Sequence, residues 1–183
     1  HILASMDTST GRCAILFPHG VLFRKEEAEM RAKLVQADLV ECVLGLGPNL
    51  FYNSPMEACV VVCRSRKPVE RQGRILFVDA INAVTRERAM SFLRPEHQAR
   101  IVSAYQVFSD QTGFARAVPL ADVAAQAYSL SIPLYVKRLP NGVSPAEQRS
   151  LSELWAAWEQ EGRVFWQEMD ALVEMLDGLI AGS

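Results

Sequence analysis

The sequence predicts an α/β domain followed by a helical C-terminal extension. Apolar runs of strand length recur through the first half of the chain, a helical segment separates the first two, and a heptad pattern governs the last part. The chain has 183 residues, half of them apolar, which suits one domain of ordinary size with an appendage.

The chain begins its ordered part with a strand, a helix and a second strand. Residues 13–17 (CAILF) are continuously apolar, as expected for a strand buried on both faces. Residues 24–37 favour a helix, because acidic residues precede basic ones along it and an apolar stripe runs down one side. Residues 39–46 form the next strand, so the pattern predicts a β-α-β unit with parallel strands.

The third strand is expected to run against the second. Residues 58–63 (ACVVVC) follow the second strand after a loop of about ten residues, whereas a parallel crossover usually needs a dozen or more and a helix. Residues 75–79 (ILFVD) predict a fourth strand, reached through a run of five basic residues, 64–74. That run is either a solvated loop or a weak contact for a polyanion.

Beyond the fourth strand the pattern becomes helical. Residues 95–108 begin with a proline suited to a first helical turn and carry apolar residues on one side. Residues 120–128 are a shorter helical candidate. Residues 129–136 (SLSIPLYV) alternate like an edge strand, since Pro133 bars a central position.

The loop between the second and third strands carries an aromatic pair. Gly47 and Pro48 end the strand, Asn49 follows, and Phe51 and Tyr52 stand side by side. In open α/β sheets, ligands bind beyond the carboxyl ends of strands. The pair is therefore either a lid on the core or a platform for a flat ligand such as a nucleobase.

The cysteines and histidines predict no metal site. All four cysteines lie in apolar runs, as expected for reduced, buried thiols of a cytoplasmic protein. Cys59 and Cys63 lack the second Cys or His pair that a zinc site needs. The sequence contains no P-loop, GxSxG elbow, HExxH or dinucleotide fingerprint, so we predict no catalytic residues from it.

No apolar run is long enough to span a membrane, and the first residues, HILASM, lack the pattern of a signal peptide. They are interpreted as a vector remnant at the start of a disordered lead, residues 1–10.

The C-terminal segment, residues 141–183, has an apolar seam of heptad spacing that predicts a coiled-coil-like surface for docking a partner. The seam residues are Leu151, Trp155, Trp158, Phe165, Met169, Leu172 and Leu176. Two interpretations stay open, because Gly162 interrupts the seam. One is a single long helix that acts as a partner-binding arm; the other is two shorter helices that break at Gly162 and fold back on the body.

Four stretches of the chain resemble, in order, the modification (M) subunit of type I restriction–modification systems, a family of DNA adenine-N6 methyltransferases. They are GRCAILFPHGVLFRKEEAEMRAKLV, DLVECVLGLGPNLFYNSPMEACVVV, RILFVDAINA and FARAVPLADVAAQAYSLSIPLYV. The most specific matches are PHGVLFR at residues 18–24, PNLFY at residues 48–52, and Tyr128 with Ile132-Pro133 and Tyr135.

The resemblance implies that residues 11–140 are the C-terminal part of a Rossmann-like, S-adenosylmethionine-dependent methyltransferase domain. The family's cofactor loop and its catalytic Asn-Pro-Pro-Phe/Tyr segment do not occur in this sequence. The parent subunit would use S-adenosylmethionine, whereas this chain alone is expected to be inactive and to bind no cofactor. At other positions the chain departs from the family: Glu57 and Leu134 replace a common Pro and Arg, and Ala127 and Ser129 a common Asp and Asn.

The resemblance also assigns roles to the two surfaces found above. Phe51 is the first candidate to stack on a target adenine flipped out of duplex DNA, with Tyr52 second and Asn49 beside them. The C-terminal helix would dock on the DNA-specificity (S) subunit or associate with a second copy of itself. Two alternatives stay open: a stand-alone interaction module, and a methyltransferase-like protein that acts on RNA or a small molecule.

Overall fold

The computed structural model describes residues 2–52, 54–88 and 90–138, together with 152, 155, 156, 158–160, 162, 163 and 169. Contacts divide the chain into two units, His1–Leu139 and Pro140–Ser183. The finer division predicted from the sequence, with boundaries after residues 10 and 140, stays a prediction.

A mixed sheet of five strands organises the described part of the first unit, and a two-stranded hairpin follows its fourth strand. The strands in chain order are β1 Arg12–Pro18, β2 Val40–Leu46, β3 Ala58–Arg64, β4 Arg74–Ala80, β5 Thr85–Glu87, β6 Met90–Phe92 and β7 Ala115–Pro119. The sheet order is β1-β3-β2-β4-β7, and β5 pairs with β6. The predicted α/β class is confirmed.

Strand direction follows the length of the connections. The third strand lies between β1 and β2 and is antiparallel to both, as the short β2–β3 loop predicts. Strands β1 and β2 therefore run the same way, as expected for the β-α-β unit, although β3 separates them. On the other side, β2 pairs with β4 in parallel, and β4 with β7 antiparallel.

Helices cover the two faces of the sheet and create two apolar layers. One layer joins Val43, Val61 and Phe77 to α1 (Ala28–Gln36) and α3 (Leu120–Ala125). The opposite layer packs Cys42, Leu76 and Val78 against Ala104 and Phe108 at α2 (Pro95–Val107). The period-two alternation of the strands divides their side chains between these layers.

Three element predictions need correction. The first helix begins at Ala28, a turn later than predicted, and α3 ends at Ala125 because Ala127 and Tyr128 adopt positive φ angles. Residues 129–136 are not a strand. They contain a 3-10 turn, Ile132–Leu134, because Pro133 has no N–H for a ladder, and buried Ile132 adds to the core of the α1 layer.

The first strand is not buried on both faces. Its residues alternate between exposed and half-buried, and Leu16 is 50% exposed. Strand β1 pairs with β3 along one edge, and its other edge has no partner among the described residues. The face of β1 that carries Leu16 is therefore open.

The described N-terminal residues make defined contacts, and the disordered lead expected for residues 1–10 stays a prediction. Leu3–Ser5 form a 3-10 turn, and Leu3 packs against the core of the α1 layer. The Asp7 carboxylate accepts hydrogen bonds from the Ser9 and Thr10 amides at 2.9 and 2.7 Å. Hydrogen bonds from the Ser9 hydroxyl and these amides hold the pKa of Asp7 well below its usual range. The origin of these residues in a vector stays a prediction.

All four cysteines are free, as predicted; burial is confirmed for Cys42, Cys59 and Cys63, whereas Cys13 is only half-buried because it lies on the edge strand β1. Burial raises the pKa of Cys59 to about 11 and that of Cys63 to about 12. Within the described ranges, no group of three or more His, Cys, Asp or Glu could hold a metal ion. No helix in the described part is long and apolar enough to cross a bilayer.

Candidate functional site at the carboxyl edge of the sheet

Three strands end and two, β3 and β7, begin at a single edge of the sheet. Pro18 and Leu46 both lie opposite Ala58, and Leu46 also lies opposite Ala80. The segments beyond these residues therefore share one edge: the 3-10 turn His19–Leu22, the β2–β3 loop and the chain that follows β4. Because β1, β2 and β4 end here, this is the edge where α/β sheets bind ligands.

The β2–β3 loop is fixed by backbone contacts. A Cβ atom on Gly47 would lie 2.4 Å from the carbonyl oxygen of Ile81, so only glycine fits this close approach. Asn49 adopts a left-handed φ of 59°, a conformation that asparagine tolerates well. Its carbonyl oxygen accepts a hydrogen bond from the Ser91 amide at 2.9 Å. Asn49 therefore lies at the predicted site, and the contact described for it there is made by its backbone carbonyl group.

The aromatic pair is accessible on this loop. Phe51 is 37% exposed and Tyr52 is 92% exposed, so Tyr52 does not cover the core. The Ser54 amide donates to the Phe51 carbonyl at 3.1 Å and closes the backbone turn from which both side chains project. The loop thus presents one ring that is partly held by its surroundings and one that is almost free.

A histidine–carboxylate contact and an ion pair flank the loop, and neither has a signal in the sequence because its partners are far apart along the chain. His19 Nδ1 lies 3.1 Å from Glu57 Oε2, joining the end of β1 to the start of β3. Arg138 Nε lies 2.6 Å from Asp79 Oδ2 at the end of β4. The Asp79 carboxylate is buried, and its other oxygen accepts the Ile81 amide at 3.3 Å. These pairs tie the ends of the strands together.

A family model for N-6 DNA methylases matches residues 1–141. The chain belongs to the N-6 DNA methylase family. This match covers the whole sheet and the candidate edge, and it confirms the methyltransferase class that the sequence resemblance predicts.

Relatives of this N-6 DNA methylase chain include methylase subunits of type I restriction enzymes from Methanocaldococcus jannaschii. The MjaVIII subunit is 28% identical over 179 residues, which covers 92% of this chain and 30% of the relative. The MjaVII subunit is 30% identical over 175 residues, which covers 93% of this chain and 29% of the relative. The resemblance to type I modification subunits is confirmed, and the chain spans less than a third of these relatives.

Solved structures give the same fold. The methyltransferase subunit of a type I restriction–modification system from Streptococcus thermophilus superposes with a TM-score of 0.68 and 27% identity, covering 74% of this chain and 28% of that one. The M protein of the type I enzyme EcoKI has a TM-score of 0.54 at 16% identity, which is a likeness of fold. The N-6 DNA methylase chain therefore has the fold of the S-adenosylmethionine-dependent methyltransferases.

The predicted docking seam of the methylase chain is described at only three positions. Trp155, Trp158 and Met169 are helical, and their side chains are 60%, 63% and 42% exposed. The centroids of the two indole rings lie 5.2 Å apart, and Trp155 Nε1 donates to Glu159 Oε1 at 3.2 Å. Gly162 is also helical. The remaining seam residues, Leu151, Phe165, Leu172 and Leu176, lie outside the described residues.

The face of the methylase sheet that packs on α2 contains an apolar groove of about 360 Å³. Ala14, Leu44 and Val62 line it from the sheet, and Ile101 and Val102 from α2. Its lining lacks any pair of acidic and basic groups suited to proton transfer. The carboxyl edge therefore remains the candidate functional site.

Proposed function

We propose that this chain is the C-terminal part of a type I restriction–modification DNA methyltransferase subunit, and that it supplies the loop on which the target adenine stacks. The observation that carries the proposal is the accessible Phe51–Tyr52 pair at the carboxyl end of β2. Enzymes that modify a base inside a duplex must extrude it and hold it by stacking and hydrogen bonds. Membership of the N-6 DNA methylase family supports adenine as that base.

Phe51 is the better stacking residue of the two. Its ring is partly covered by its surroundings, so it loses less conformational freedom when it orders against a base. Tyr52 projects almost completely into solvent and would have to be ordered on binding. Stacking of a base on an aromatic ring contributes roughly 1–3 kcal/mol. The Asn49 backbone, held to Ser91, keeps the turn at Phe51 in place.

The described carboxyl edge does not fit S-adenosylmethionine by itself. Both oxygens of the Asp79 carboxylate already accept hydrogen bonds, from Arg138 and Ile81, and the Glu57 carboxylate faces His19. These two carboxylates are therefore already engaged and are not free to bind the hydroxyl groups of a nucleoside. We therefore assign cofactor binding and the catalytic Asn-Pro-Pro-Phe segment to another part of the parent subunit.

Two open surfaces support a larger catalytic unit. The outer edge of β1 offers unpaired backbone groups, and the adjacent Leu16 side chain is half exposed. The apolar groove between the sheet and α2 lies on that same face of β1, because Ala14 lines it. A strand added to β1 and a helix laid in the groove would bury both surfaces. Relatives more than three times as long as the matched region have the chain to supply them.

The C-terminal unit is proposed to dock the S subunit. Adjacent, exposed Trp155 and Trp158 give a large aromatic surface on one helix, and tryptophan is enriched at the centres of protein interfaces. Duplex DNA and the S subunit would then be the partners of the intact, cytoplasmic enzyme. Self-association through the same helix is the competing proposal for this surface.

Calorimetry with S-adenosylmethionine tests whether cofactor binding requires a part of the parent subunit outside this chain. We expect the isolated chain of 183 residues to give no binding isotherm at cofactor concentrations up to about a millimolar, because its Asp79 and Glu57 carboxylates are already paired. The parent subunit under the same conditions serves as the positive control. Binding by the isolated chain with a dissociation constant near a micromolar or tighter would contradict the proposal.

A further inference from the structure

The β5–β6 hairpin, which the sequence did not predict, stands beside the aromatic loop. Its strands pair Thr85 with Phe92 and Glu87 with Met90. Ser91, in the middle of β6, is 4% exposed and donates its amide hydrogen to the Asn49 carbonyl at 2.9 Å. The hairpin and the proposed target-base loop are therefore joined by a direct backbone hydrogen bond.

The exposed part of the hairpin carries positive charge that no acidic side chain among the described residues balances. Arg86 and Arg88 are exposed, and neither has an acidic partner within 4.0 Å among the described residues. The one acidic side chain of the hairpin, Glu87, is neutralised by Arg94, whose Nη2 lies 2.6 Å from Glu87 Oε1. The two arginines are thus available to an external anion.

The immediate surroundings of these charges suit a large partner better than a small anion. Met90 and Phe92 are 45% and 42% exposed, two residues apart on one face of β6. Arg88 has a left-handed φ of 54° at the turn of the hairpin, so its backbone stands at the tip. Two cationic side chains and an apolar strip beside an aromatic loop form a surface suited to binding the phosphates and sugars of a nucleic acid.

We propose that the β5–β6 hairpin binds the phosphate backbone of duplex DNA next to the flipped base, through Arg86 and Arg88. This rests on the proposed function, because the flipped base would lie on the loop that Asn49 ties to the hairpin. Extruding a base requires its flanking backbone to be held, and arginine presents a forked set of donors that matches phosphate oxygens. The hydrogen bond between Ser91 and Asn49 fixes the distance between the phosphate contacts and the stacking loop.

The test is fluorescence anisotropy of a labelled duplex with the 183-residue chain over a series of salt concentrations. Arg86→Ala combined with Arg88→Asn is the variant, since asparagine tolerates the left-handed conformation at position 88. We expect a fall in affinity of about tenfold at low salt and a salt slope smaller by about 0.9 for each lost phosphate contact.

Arg66→Ala is the matched control. Arg66 is exposed and lies just beyond the end of β3. Because β3 ends beside the start of β2, where the Arg64 amide donates to the Leu39 carbonyl, Arg66 lies at the edge of the sheet opposite to the aromatic loop. This control should keep the wild-type slope. An unchanged slope in the double variant, an equal loss with Arg66→Ala, or no duplex binding by the wild-type chain at low salt would each overturn the hairpin proposal.

The experiments distinguish a failure of the hairpin proposal from a failure of the proposed function. A double variant with the wild-type salt slope, in a parent subunit that still methylates adenine and depends on Phe51, would refute the hairpin alone. A reduced slope in a parent that does not methylate duplex DNA would keep the hairpin as a DNA contact and refute the methyltransferase role.

Discussion

Replacing Phe51 with alanine in the intact methyltransferase subunit is expected to lower DNA methylation by about fivefold to somewhat over a hundredfold while the fold remains intact. The lost stacking of roughly 1–3 kcal/mol converts to such factors at about 1.4 kcal/mol for each factor of ten. The side chain is 37% exposed and belongs to no core cluster, so its truncation removes little buried area. Initial rates of labelled methyl transfer to duplex DNA measure the effect.

Neighbouring variants separate the stacking role from a general loss of the loop. Phe51→Tyr keeps a stacking ring and should retain most of the activity, whereas Tyr52→Ala removes a ring of similar area from the next position and should cost less. Circular dichroism checks that each variant is folded. Unchanged turnover of Phe51→Ala at saturating DNA would refute the role, and a larger loss with Tyr52→Ala would transfer it to Tyr52.

Replacing Glu41 with alanine is expected to lower the free energy of unfolding by about 1–3 kcal/mol, because it leaves the partly buried guanidinium groups of Arg64 and Arg71 without their shared acceptor. The Glu41 side chain is fully buried in β2, and its Oε1 lies 3.3 Å from Nη1 of both Arg64 and Arg71. Its Oε2 accepts the Tyr105 hydroxyl at 2.5 Å. Burial and this hydrogen bond to Glu41 raise the pKa of Tyr105. Chemical denaturation of the 183-residue chain measures the loss.

Two further variants calibrate that loss. Glu41→Gln keeps the shape and the acceptor oxygen and removes the charge, so it should destabilise less than alanine. Glu29→Ala removes a carboxylate from an exposed pair in α1, where Lys33 Nζ lies 2.7 Å away, and should cost no more than about 0.5 kcal/mol. A Glu41→Ala chain as stable as the Glu29→Ala chain would contradict the network's role.

The strands of the core could be predicted from the sequence because apolar runs mark them, and the direction of β3 followed from its short connection. The edge strand β7 and the hairpin could not, because they are short and rich in polar or small residues, as in ARAVP. Residues 129–136 have the apolar pattern of a strand because Ile132 and Tyr135 are buried in the core. A 3-10 turn buries them as well as a strand would, so the pattern does not distinguish the two.

Local sequence is enough to propose the candidate loop, whereas contacts between distant residues leave no local pattern from which to predict them. The glycines and the aromatic pair after β2 indicate a ligand loop by themselves. The bond from Ser91 to Asn49 joins segments that no local pattern relates. Likewise, the basic run after β3 was interpreted as a solvated loop or a polyanion contact, yet Arg64 and Arg71 are bound to Glu41 and Lys67 to Asp38.

Analysis of the methylated product formed by the intact parent subunit with its S subunit tests the central claim most directly. The parent is incubated with labelled S-adenosylmethionine and offered duplex DNA, RNA and small-molecule acceptors in parallel, and the product is hydrolysed to nucleosides. We expect label in N6-methyladenine from duplex DNA, and loss of that label with Phe51→Ala. Label confined to RNA or to a small molecule, with none in duplex DNA, would contradict the account.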